Sequence, residues 1–158
     1  FKIKSMQEVS KKILKNWSKE DGMTMQEQVA VYKKHLARLP DKDTKLEYIL
    51  EYAKEAKPFD DTYKTEENII KGCSSLAWLQ KDFVDGKVVF QADGDSIIAK
   101  GMLVVLLSIF SNRTPQEILE FDTKLLMEMG VMELLSPVRQ QGLEAFLKVI
   151  YGYVQEVS

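Results

Sequence analysis

Leu76-Ala77-Trp78-Leu79-Gln80-Lys81-Asp82-Phe83-Val84-Asp85-Gly86-Lys87-Val88-Val89-Phe90 decides the fold class. Leu76, Trp78 and Phe83 lie in one apolar run and Val88, Val89 and Phe90 in the next, with Val84-Asp85-Gly86-Lys87 between them. Asp-Gly at the centre of such a pair is a strong hairpin signal, because both central residues tolerate positive φ. An isolated hairpin is marginal in water and needs a third strand or a helix across it. The approach over Asn68 to Lys71 is the expected third strand.

Downstream, Asp93-Gly94-Asp95 opens an apolar helix over Ser96 to Phe110, with Asp95 or Ser96 as its N-cap. Gly101 sits inside that helix, where glycine costs about 1 kcal/mol relative to alanine, so close backbone packing against the sheet is expected there. Thr114-Pro115-Gln116-Glu117 is a capping box with proline at the first helical position. Asp122 starts a short helix that Gly130 ends, and Ser136-Pro137 starts the last helix. Val138, Phe146, Ile150 and Val154 form that helix's expected buried stripe.

Upstream of the hairpin the pattern is helical. Val9, Ile13 and Trp17 recur at a spacing of four until Asp21-Gly22 breaks the run. Thr24 and Glu27 form a capping box for a helix to about Arg38, which Pro40 prevents from continuing. Asp43 caps a third helix with Leu46, Ile49, Leu50 and Ala53 on one face. From Lys57 to Gly72 there is no clean period, and long connections of this kind in a compact domain are often functional. Helices, then a small antiparallel sheet, then helices predict an α+β fold with about three strands packed against several helices.

The 158 residues fit one domain, 1–158, whose core needs neither disulfides nor metals. With 22 Lys and Arg against 24 Asp and Glu, the chain lacks the basic excess of a nucleic-acid binder, and Lys11, Lys12 and Lys15 read as a solvated helix face. The apolar stretch Ile97 to Phe110 contains Lys100 and is too short to span a bilayer, so no membrane partner is expected. One cysteine allows no internal disulfide and suits a reducing compartment. No signal peptide is visible, so the cytoplasm is expected, or a plastid or mitochondrion if a targeting segment preceded Phe1.

Most residues capable of chemistry have plainer explanations. His35, the single histidine, reads as a surface residue, and one His with one Cys makes no zinc site. Asp93 and Asp95 read as turn and cap residues, and Met127, Met129 and Met132 as gap-fillers in the core. No cofactor is expected, since no glycine-rich phosphate loop is present. Cys73 stands apart. It follows a long polar loop and Gly72, precedes Ser74-Ser75, and has Lys71 nearby to favour thiolate.

Asn68-Ile69-Ile70-Lys71-Gly72-Cys73-Ser74-Ser75-Leu76-Ala77-Trp78 resembles the signature of the SufE family, a Gly-Cys followed closely by Trp. Asp93-Gly94-Asp95 with Ile97-Ile98-Ala99-Lys100-Gly101 is similar to that family's Asp-Ser-Asp and apolar Lys-Gly helix, with Gly94 where serine is usual. Thr114-Pro115-Gln116-Glu117-Ile118 resembles its Thr-Pro turn, and Leu135-Ser136-Pro137-Val138-Arg139-Gln140-Gln141-Gly142 its Leu-Ser/Thr-Pro-x-Arg-x-x-Gly block. The four blocks, in order, cover about two thirds of the chain, residues 45–150, and leave 1–23 as an N-terminal helical extension.

The resemblance implies a fold related to the iron–sulfur scaffold proteins and a sulfur acceptor at Cys73. Its partners would be a SufS-like, pyridoxal-phosphate cysteine desulfurase, whose turnover it speeds, and a downstream iron–sulfur scaffold; a homodimer is compatible with it. The protein would then be a sulfur-transfer accessory with a transient persulfide rather than an independent enzyme. Lys71, Gly72, Ser74, Ser75, Asp93, Asp95 and Arg139 become candidate loop or docking residues. Arg139 is also expected to pair with a carboxylate. A persulfide needs shielding, so Cys73 is expected to pack against the domain when alone and to leave it on docking. Three other assignments compete: a cluster scaffold, for which one cysteine is too few ligands; a thiol enzyme, which lacks an evident base or resolving cysteine; and an adaptor with an inert Cys73.

Overall fold

A computed structural model describes residues 23–73 and 75–158. The expected helix carrying Val9, Ile13 and Trp17, its lysines, the Asp21-Gly22 break and Ser74 lie outside the described residues. Helices α1 (Met25–Ala37) and α2 (Lys42–Ala53) lead through two 3-10 turns, Asp61–Tyr63 and Glu66–Asn68, to strands β1 (Ala77–Val84) and β2 (Lys87–Gly94). Helices α3 (Ile97–Phe110), α4 (Pro115–Glu120) and α5 (Lys124–Glu128) follow, then a 3-10 turn at Met132–Leu134 and the long α6 (Pro137–Val157). The fold is α+β.

Asp85 and Gly86 take φ of +52° and +79°, and the strands pair antiparallel from Val84↔Lys87 to Ala77↔Gly94 around that two-residue turn. The third strand does not form. Residues 68–71 contribute one bridge, Ile69 opposite Trp78, and one Ile70 N–H···O=C Ala77 hydrogen bond of 2.9 Å. Asn68 still closes a 3-10 turn, and Gly72 already turns the chain away at φ +94°, which leaves no length for a ladder. The sheet therefore has two strands, and the outer edge of β2 is met at Val88 by Asn112 and Arg113.

α3 is apolar nearly all round because it is enclosed: it packs against α2 on one side and β2 on another. Gly101 faces the backbone of α2, not the sheet as expected; a β-carbon there would overlap the Ile49 carbonyl oxygen. Phe110, at the end of α3, meets Phe121, Phe146 and Tyr151 edge to face. The capping boxes at Thr24/Glu27 and Thr114/Glu117 form as expected, and Gly130 takes φ +107° just past α5. Two caps move. Asp41, whose backbone is extended, caps α2 by accepting from Thr44 N–H at 2.8 Å, and Asp43 lies in the first turn. Ser96, not Asp95, caps α3, accepting from Ala99 N–H at 3.3 Å.

Two apolar stripes also differ from expectation. On α2 the buried residues are Thr44, Tyr48, Ile49 and Tyr52, while Leu46, Leu50 and Ala53 are only partly covered. On α6 Leu143 joins Phe146, Ile150 and Val154, and Val138 is 47% exposed. Of the methionines, Met129 is buried, Met132 packs against the core and Met127 is exposed.

Tyr32, Tyr48 and Tyr52 gather between α1, α2 and α3 with no exposed surface. Ser108 donates its hydroxyl hydrogen to the Val105 carbonyl, so Tyr32 is the donor in its bond to Ser108 Oγ. Burial pushes the Tyr32 phenol up to about 12, and burial likewise raises Tyr48. A folded-state value above the unfolded one gives stability that is complete below the ordinary pKa near 10 and lost as pH climbs through the folded value. Alkaline unfolding is therefore expected to set in above about pH 10, with the last tyrosinate absorbance appearing together with loss of helical circular dichroism. Titration of all six tyrosines near pH 10 with the helical signal intact would contradict the enclosure of this cluster.

Candidate functional site

The Ile70–Ala77 hydrogen bond closes residues 71–76 into a short loop with Cys73 near its tip. Three further bonds hold the flanks. Asn68 Nδ2 donates to the Tyr63 carbonyl at 2.8 Å and to Gln80 Oε1 at 2.9 Å, and Asp95 N–H donates to the Leu76 carbonyl at 3.1 Å. Ile70, only 3% exposed, is the loop's apolar anchor. Gly72 holds a φ that side chains resist, and a β-carbon there would also press on Ala145 at 3.3 Å.

Cys73 is half-buried, and its thiol lies at a mostly apolar cavity of about 70 Å³ between the loop, α3 and α6. Ile70, Met102, Leu103, Leu143 and Phe146 supply buried lining; Ser75, Val138 and Arg139 supply accessible lining. The thiol donates to the Gly142 carbonyl at an Sγ–O distance of 3.8 Å. Burial raises its pKa and is the sole cause of that shift. The expected thiolate-favouring role of Lys71 is absent: Lys71 is exposed and its Nζ lies 3.9 Å from Glu66. Cys73 in this position is a protonated, resting thiol.

The acidic candidates separate. Asp93 accepts from Gly94 N–H at 2.9 Å and lies 3.4 Å from Lys64 and 3.8 Å from Lys100. Lys64 also lies 3.2 Å from Asp61, and its Nζ sits 5.1 Å from the centre of the Trp78 ring. Asp93 thus ties the long 57–72 connection to β2 and α3. Asp95 is exposed, and its backbone rather than its carboxylate does the tethering. Arg139 lines the Cys73 cavity, and among the described residues it has no carboxylate partner, contrary to expectation. His35 is half-buried rather than a surface residue, with Nδ1 3.4 Å from the Tyr48 hydroxyl, and it belongs to the tyrosine cluster and not to the cavity.

The structure brings Cys73, Ser75 and Arg139 to one cavity and leaves Lys71, Asp93 and Asp95 outside its lining. It adds Ile98, Ala99, Met102 and Gly142, which no local pattern had marked as site residues. Gly142 carried a signal: an interior helix glycine costs about 1 kcal/mol relative to alanine, a cost that a close neighbour would explain. Leu76, Ile97 and Val138, exposed at 42%, 66% and 47%, are apolar side chains on the three segments that bound the cavity. Among the described residues no helix is long and apolar enough to cross a membrane.

A family model described as SufE, Fe-S metabolism associated domain, matches residues 30–154. The solution structure of a hypothetical protein from Thermus thermophilus superimposes with a TM-score of 0.67, covering 82% of this chain and 94% of that one at 22% sequence identity. That likeness is one of fold.

Proposed function

Because this chain belongs to the SufE family, and so has a role in iron–sulfur metabolism, we propose that Cys73 takes the outer sulfur from the persulfide of a pyridoxal-phosphate cysteine desulfurase and passes it to an iron–sulfur scaffold. The observation that carries this proposal is the placement of the chain's only thiol, loop-borne and half-buried at an apolar cavity. Sulfur transfer of this kind needs one thiol and no resident cofactor. The Cys73 thiol gives up its proton, its thiolate attacks the outer sulfur, and a new sulfur–sulfur bond forms on Cys73. The partner's sulfur–sulfur bond breaks in the same step, and its cysteine leaves as thiolate, with no net oxidation or reduction.

The raised thiol pKa suits the interval between transfers, since a protonated thiol is a poor nucleophile and a poor target for oxidants. The cavity volume is several times the roughly 10–15 Å³ that a cavity needs to admit one water, so it has room for an added sulfur beside buried apolar walls. Leu76, Ile97 and Val138 give a partner apolar surface around the opening. The attack itself requires Cys73 to move out of its docked position, where its proton is held against a carbonyl.

The test is an intact mass after incubation with an active cysteine desulfurase and cysteine in the absence of reductant. A gain of roughly 32 Da per sulfur, reversed by dithiothreitol and missing in Cys73→Ser, is expected. An unchanged mass beside demonstrable desulfurase turnover would refute the acceptor role with that partner.

A further inference from the structure

We propose that Gly142 of α6 is a positioning residue, the seat into which the Cys73 thiol docks, and that its missing side chain sets how much of the protein rests with the thiol withdrawn. The idea rests on the sulfur-carrier reading only for the purpose the seat serves. The geometry is independent of it.

Gly142 lies inside a helix of 21 residues, where glycine is disfavoured and a solvent-facing position would gain from alanine. Among the described residues beyond its own helix turn, a β-carbon built there meets a single atom within 4 Å, Cys73 Sγ at 3.3 Å. The same residue's carbonyl accepts the thiol hydrogen. One helix position thus provides both a notch and an acceptor for the same sulfur. A carbonyl oxygen accepts from a thiol but has nothing to accept from a thiolate, so this contact favours the neutral form. A β-carbon at Gly152, on the same helix, would meet nothing within 4 Å, so that position serves as an internal control.

A methyl group at 142 leaves the described core untouched, since among the described residues only Cys73 Sγ opposes it. The sulfur is the part that yields, because it sits on a six-residue loop while α6 is anchored by Phe146, Ile150 and Val154. Gly142→Ala should therefore shift Cys73 toward the exposed, readily ionised arrangement.

The experiment is the rate of Cys73 alkylation by iodoacetamide across pH, in wild type, Gly142→Ala and Gly152→Ala, with folding followed by circular dichroism. Gly142→Ala is expected to react roughly fivefold faster near neutral pH, with its profile displaced toward the ordinary cysteine range near 8.5, and Gly152→Ala to match wild type. An unchanged rate overturns the proposal, and so does a slower one, which would mean that the sulfur turned deeper into the cavity. Melting the Gly142→Ala change in Cys73 and Cys73→Ala backgrounds covers the case in which the single variant folds poorly. With the sulfur removed, the alanine should raise Tm by about 2–3 °C as in an ordinary helix, whereas with the sulfur present it should not. Equal effects in both backgrounds overturn the seat. Neither measurement uses a desulfurase, so a failed sulfur transfer with an intact alkylation result removes the carrier role and keeps the seat, and the reverse pair of results does the opposite.

Discussion

Gly101→Ala is expected to lower Tm by about 6–12 °C, a loss of roughly 3 kcal/mol in a chain of this size. In an open helix the same change would gain up to about 1 kcal/mol. Here the new methyl group overlaps the Ile49 carbonyl oxygen and comes within 3.1 Å of the Ile49 carbonyl carbon and 3.2 Å of its Cγ2. Backbone in the middle of a helix cannot rotate away as a side chain can. Relief requires α2 and α3 to separate, which loosens Ile49, Tyr48 and Tyr52 at one face of the core. Thermal melts of Gly101→Ala beside Gly152→Ala would isolate the contact. A Gly101→Ala protein melting with wild type would show that the two helices are not packed this closely.

Cys73→Ser is expected to reduce desulfurase stimulation to the unstimulated rate while leaving Tm within about 2 °C of wild type. The replacement is close to isosteric and the site is only half-buried, so little packing is lost. The chemistry, in contrast, has no substitute: a hydroxyl does not attack sulfur at neutral pH, and the chain holds no second thiol. Initial rates of alanine formation with saturating cysteine would read the effect. Full stimulation by Cys73→Ser would favour an adaptor that acts by binding alone.

What sequence made legible follows from how local the determining interactions are. The hairpin turn at Asp85-Gly86, the boxes at Thr24 and Thr114 and the glycine stop at Gly130 are each settled within four residues, and they form as expected. The cap at Asp41 was expected at Asp43, and the choice between Asp95 and Ser96 stayed open, because neighbouring positions offer equally good acceptors and only the path of the entering chain selects between them. Tyr48 and Tyr52 were passed over for Leu46 and Leu50, since a phenol is core-like only where its hydroxyl finds a partner, and those partners lie on the same cluster of helices. Val138 matched the stripe of α6 but lies where that helix borders the cavity mouth, so its period was right and its neighbour absent.

Cys73 was singled out by its loop context and given its candidate role by the four-block family resemblance, but its neighbourhood was not legible. Lys71 lies two positions away in sequence and pairs with Glu66, whereas Gly142, 69 positions away, touches it. Contacts between a loop and a distant helix leave no mark on local periodicity. The interior glycines at 101 and 142 were the one trace, each recording the approach of something that a methyl group would obstruct.

The hydrogen bond between Ile70 and Ala77 sets a tether length. Cys73 is three residues beyond Ile70, and an extended chain covers about 3.3–3.6 Å per residue, so the Cys73 α-carbon can reach only roughly 10 Å from that anchor, with the side chain extending beyond it. In the proposed transfer a partner would have to bring its own sulfur within side-chain reach of this radius. Serving a more deeply recessed sulfur would require the bond to break and Ile70, 3% exposed at rest, to leave the core, so the depth of a partner's active site translates directly into the work of opening this domain.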